Sequence, residues 1–131
     1  MDWFTQYRTC QVAAIILTAL SATLLFIPGL IFWLFNMAYE DGGVIFARRA
    51  AMLFAGLAFL VWKARALPRT AATDAIFQAF MVLMAGLACV GLFEFLRGGV
   101  GIGIFLAIVV EVFFVIAFAR LVGAQGAASG D

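Results

Sequence analysis

Polar residues are sparse in this chain, and their positions divide it into long apolar runs. The first run covers residues 10–27 and is interrupted only by Thr18, Ser21 and Thr23, whose hydroxyls can bond back to helical carbonyls. Pro28-Gly29 ends it, because proline lacks a donor for the preceding turn and disfavours helix at Ile27. Residues 30–39 are rich in aromatics but too short to span a bilayer, and Trp33 and Tyr39 suit a membrane–water interface. This stretch reads as a kinked extension of the first helix or as a separate interfacial segment, and the second is the expectation. Glu40-Asp41-Gly42-Gly43 marks a turn. Further apolar runs occupy residues 44–62, 74–96 and 101–121, each close to the ~20 residues that cross the hydrocarbon layer. Between them lie a basic loop (Lys63, Arg65, Arg69, with Pro68) and Arg97-Gly98-Gly99. Thr73-Asp74 is the expected cap of the third span, with the acid at the positive end of the helix dipole.

The pattern therefore predicts an all-α polytopic membrane protein. Its spans form an antiparallel four-helix bundle over residues 1–122, with an interfacial segment after the first helix and a disordered tail at 123–131. Composition agrees: 67% of residues are hydrophobic and 11% charged, against roughly 45–50% and ~25% in soluble domains. A net charge of +1 without a basic stripe gives no reason to expect nucleic acid as a partner, and none is expected. With four spans, Arg8, Lys63, Arg65, Arg69 and Arg120 share one side, and Arg48, Arg49 and Arg97 the other. The first side is expected to be cytoplasmic, which puts both termini inside a bacterial inner membrane. The first span makes a poor signal peptide, since Asp2 precedes it and Pro-Gly-Leu-Ile-Phe-Trp follows where small cleavage-site residues belong.

Against that apolar background Glu111 stands out, near the middle of the run 102–119. A carboxyl group at this depth is costly, so it is expected to face the bundle interior and to have a partner. At ~1.5 Å per residue, Arg48 and Arg49 lie about 6–8 Å inside the second span and Glu111 roughly 15 Å inside the fourth, both from the same membrane face. Glu94 and Arg97, three residues apart on one helix, are placed to pair. One polar cluster of Arg48, Arg49, Glu94, Arg97 and Glu111 is the expectation. It reads either as a structural ion pair that sets helix register, or as a site for an ion, a lipid head group or a quinone-like ligand with Glu111 titrating.

Other chemistry is largely excluded. The chain has no histidine, which disfavours haem, bacteriochlorophyll and imidazole-bound metals, so no cofactor is expected. Cys10 and Cys89 form no CxxC pair and read as buried small hydrophobes, while Met81 and Met84 read as packing. No triad or paired-carboxylate arrangement is visible, so the protein is not expected to be an enzyme. The glycines at 98–103 are superficially like a phosphate-cradling loop but lack the strand and the Lys-Ser/Thr such a loop needs. They read as a tight turn, with Gly99 and Gly103 in register for close helix packing, as are Ala47, Ala51 and Ala55 in the second span.

Pro28 ending the first helix, Arg49 followed by Ala-Ala-Met-Leu-Phe-Ala-Gly56-Leu-Ala-Phe-Leu, and Gly99 twelve residues before Glu111 resemble the small bacterial four-helix proteins of the DoxX-like group, in an uncharacterised branch. The resemblance implies a compact antiparallel bundle and no established chemistry. The chain departs from the group in carrying Phe93-Glu94-Phe95 where a Gly-Arg pair is expected near the end of the third helix. Small multidrug resistance transporters share the length and helix count, but their essential carboxylate lies in the first helix, which here has no charge between residues 10 and 27. The expected role is a non-enzymatic structural or accessory subunit that contacts the bilayer and a larger complex or another copy of itself. The alternative is a small ion- or proton-coupled transporter, or a lipid- or quinone-binding protein using Glu111.

Overall fold

A computed structural model describes residues 5–128 and contains helices and no strand among them. In chain order they are α1 (Gln6–Phe26), α2 (Pro28–Leu34), α3 (Asp41–Ala64), α4 (Ala71–Leu96) and α5 (Ile104–Ala128). Four of them, all but α2, are long and apolar enough to cross a membrane. The protein is thus a multi-pass helical membrane bundle. α5 continues through residues 123–128, where the sequence pattern predicts a disordered tail, and residues 129–131 lie outside the described part.

Local chemistry sets each boundary. The Ile27 N–H closes α1 on the Thr23 carbonyl at 2.8 Å, and Pro28 then opens α2 at a position where its missing N–H is no loss. The stretch after helix one is therefore a separate short helix and not a continuation of α1. It stops at Leu34, with Asn36 in the left-handed region at φ 52°. Met37 N–H bonds to Phe32 O and Asn36 N–H to Trp33 O, the paired bonds of a Schellman cap. α4 ends the same way, with Gly98 at φ 77°, Gly99 N–H on Glu94 O and Gly98 N–H on Phe95 O. At its start the cap is Thr70, three residues earlier than expected, because its hydroxyl accepts from Thr73 N–H. Asp74 does fall in the first turn.

α1 packs along α3 and α4 along α5, each pair antiparallel. The α1–α3 seam uses small residues: Cys10, Ala13 and Ala51 are fully buried, and Ser21 Oγ donates to the Ala51 carbonyl at 2.7 Å. Of the alanine stripe Ala47, Ala51 and Ala55, only Ala51 is sealed in this seam, and Ala55 borders a shallow groove beside it. The α4–α5 seam is aromatic, with Phe80 and Phe118 at 4.8 Å and Phe77 and Phe118 at 5.3 Å between ring centroids. Both pairs share one core, drawn from Cys10, Leu17, Ala58, Val61, Phe77, Phe80, Met84, Phe114 and Phe118 among others. These residues lie in the half of each helix near the α3–α4 loop.

That end is also tied by polar bonds. Gln6 Nε2 donates to Ala64 O and Leu67 O at 2.9 and 2.8 Å. Arg69 joins Asp74 Oδ1 at 2.5 Å and the Leu121 carbonyl at 2.9 Å, so one guanidinium links the start of α4 to α5. The opposite end, where α2 inserts, has no comparable shared core. Cys10 is buried as expected, whereas Cys89 is exposed on α4.

Candidate functional site

Because the core closes the bundle at one end only, the helix pairs separate towards α2 and enclose a cavity of about 440 Å³. All five helices contribute to its lining, including Leu24, Leu34, Phe54, Leu87, Val110 and Phe114. Val90 and Leu106 line it and are also 60% and 62% exposed, so it opens sideways. Its volume falls in the range of about 300–1,000 Å³ typical of small-molecule sites, and such sites are mainly apolar with a few polar groups.

Two charged residues line it, Glu94 from α4 and Glu111 from α5. Glu111 lies seven residues into α5, about 10 Å by rise per residue, and sits one helical turn before Phe114 at the cavity floor. It is shallower in its helix than the sequence count suggested, because α5 begins at Ile104 and residues 101–103 remain in the loop. The antiparallel pairing of α4 and α5 sets Glu111 level with the Met84–Leu87 turn. Glu94 is therefore displaced towards α2 by roughly 10–15 Å along the bundle.

The expected five-residue cluster does not form as one unit. Glu94 Oε1 and Arg97 Nη1 do pair, at 3.5 Å, with the arginine side chain 62% exposed. Arg48 and Arg49 are exposed, do not line the cavity, and make no ion pair with Glu111 among the described residues. The reason is their place on α3: both arginines lie on its exposed surface, whereas Phe54 is the α3 residue that lines the cavity. Glu111 Oε2 is buried and has no hydrogen-bond partner among the described residues.

Gly99 and Gly103 lie in the tight turn expected of them, and Gly103 packs closely as expected, but against α2 and not through a helix face of its own. Neither is in a helix, so they offer no small-residue helix face. Gly99 completes the cap of α4, and Gly103 backs onto α2, where a Cβ would overlap the Leu34 carbonyl oxygen. Gly101 N–H donates to Phe35 O at 2.6 Å beside it. These contacts fix the end of α2 over the cavity. Sequence reasoning missed α2 as a wall of the site, since nothing in local periodicity says what a seven-residue helix packs against.

Compared with protein-family models, with curated proteins and with solved structures, the chain matches none. Its functional reading therefore rests on its own geometry.

Proposed function

We propose that this protein is a non-enzymatic binding protein of the bacterial inner membrane that holds one amphiphilic molecule between its helix pairs. The molecule's apolar part fills the cavity and its polar group meets Glu111. The observation that carries this reading is the buried, unpartnered Glu111 Oε2 in the floor of an apolar cavity that opens sideways. A buried carboxyl group without a partner is a lasting cost, and binding a ligand that supplies one offsets it. A sideways opening suits a ligand that arrives from the bilayer. The Arg8, Lys63, Arg65, Arg69 and Arg120 side supports cytoplasmic termini, and Glu111 then sits in the outer half of the membrane.

The role as a register-setting ion pair loses its support with the absence of an arginine beside Glu111. The DoxX-like resemblance contributes only the bundle architecture to this proposal. The test is thermal unfolding in lipid nanodiscs with a panel of single-chain amphiphiles bearing amine, hydroxyl, carbonyl or carboxylate heads. At least one class raises the Tm of the parent protein and leaves a cavity-filled Ala107→Phe variant unshifted. No shift with any class, or equal shifts in both proteins, contradicts the proposal.

A further inference from the structure

Resting on the binding role just proposed, the charges around the cavity select among ligand heads. The charged side chains that line it are both acidic, Glu94 and Glu111. The nearest basic group on the same helix as Glu94 is Arg97, which is bound to Glu94 and mostly exposed. Arg48 and Arg49 on α3 are exposed and outside the lining. Thus no cation of this chain, among the described residues, answers Glu111. Apolar walls of low dielectric strengthen the attraction between that carboxyl group and a cation brought beside it.

We propose that the occupant is a lipophilic ammonium ion, a primary or secondary amine carrying an aliphatic body. Its N–H groups donate to Glu111 Oε2 and its positive charge balances the carboxylate, a charge-assisted bond stronger than a neutral one. A carboxylate head is repelled by both acids. A hydroxyl head supplies a donor but leaves the charge unbalanced, and a quaternary ammonium supplies charge but no donor. The body extends from Glu111 towards the Glu94–Arg97 pair, past Leu87, Gly91 and Val110. Phe54 and Phe114 lie in the lining, where aromatic rings favour a cation further.

The experiment titrates the full chain in zwitterionic nanodiscs at pH 7 with decylamine, decanol and decanoate, subtracting partition into empty nanodiscs. At this pH an alkylamine is protonated, as lysine is. Expected is saturable binding of decylamine at least tenfold tighter than decanol, with decanoate weakest. In Glu111→Gln the tenfold amine-over-alcohol preference is lost, the ratio falling to about one. Should that variant not fold, the parent's amine-to-alcohol ratio decides, together with Glu111→Asp, which keeps the preference. Decanol binding as tightly as decylamine, or Glu111→Gln keeping the full preference, overturns the ammonium inference and leaves amphiphile binding standing. Saturable binding of none of the three overturns both.

Discussion

Glu94 and Glu111 line one cavity from adjacent helices, yet of the two only Glu94 has an ion-pair partner among the described residues. The difference follows from position. Glu94 lies three residues before Arg97 at the end of α4, whereas Glu111 lies seven residues into α5, level with apolar residues of α4, and the arginines of α3 are exposed outside the cavity lining. The bundle thus pairs the carboxylate at the rim and leaves Oε2 of the one at the floor without a partner among the described residues.

If Arg48 and Arg49 do not serve Glu111, removing their charge has little structural consequence. The double variant Arg48→Gln/Arg49→Gln keeps the unfolding free energy within about 0.5 kcal/mol of the parent, as exposed sites generally do. Denaturant unfolding in micelles measures this. A loss of several kcal/mol would restore these arginines as partners.

The close approach of Gly103 to Leu34 makes a sharper prediction. Gly103→Ala drives a methyl group into a backbone carbonyl that α2 cannot easily move, and overpacking of this kind costs about 1–3 kcal/mol or more. Gly56→Ala, mid-helix in α3 with nothing near its Cβ position, is neutral or gains up to about 1 kcal/mol through helix propensity. Comparing the two Tm values separates the packing effect from the loss of glycine itself.

Asn36 holds the left-handed position that terminates α2. Asn36→Gly keeps this turn at no steric cost, while Asn36→Val forces a branched side chain into a conformation that costs roughly 1–2 kcal/mol. Because this turn also carries the Phe35 carbonyl to Gly101, the valine variant additionally loosens the cavity roof. Faster hydrogen exchange at Gly101 N–H reports it.

Arg69 ties the start of α4 to α5 through Asp74 and the Leu121 carbonyl. Its side chain is about three-quarters buried, at 26% exposure, so the interaction is only partly screened. Arg69→Met retains length and loses both bonds, lowering stability by about 1–3 kcal/mol. Arg69→Lys recovers part of that loss, since an ammonium group does not reproduce the guanidinium fork. Unfolding of the two variants against the parent gives the order.

The apolar runs made the architecture legible because a bilayer-spanning helix needs ~20 consecutive apolar residues whatever its neighbours are. Pro28 marked the break before α2 for an equally local reason. The site was legible only in part. Glu94–Arg97 is a within-helix spacing and was found, and Glu111 was singled out by its depth. Which face of α3 turns to its neighbours was not encoded in any local spacing, and it is this that leaves Arg48 and Arg49 exposed outside the cavity. The glycines at 99 and 103 were legible as a tight turn, and Gly103 does pack closely, but the helix face they were read to offer is absent. A four-residue spacing signals close packing only inside a helix, and here the Schellman cap after Leu96 keeps both in the loop.

The most direct test of the account is the stability of Glu111→Gln without ligand, measured by reversible unfolding in the same lipid nanodiscs as the parent. Glutamine keeps the shape and removes the acid that has no partner, so the variant is predicted to be as stable as the parent or more stable. A loss of about 3–5 kcal/mol, the mark of a broken buried ion pair, would show that Glu111 is held by a cation of this chain and would contradict the binding site proposed for it.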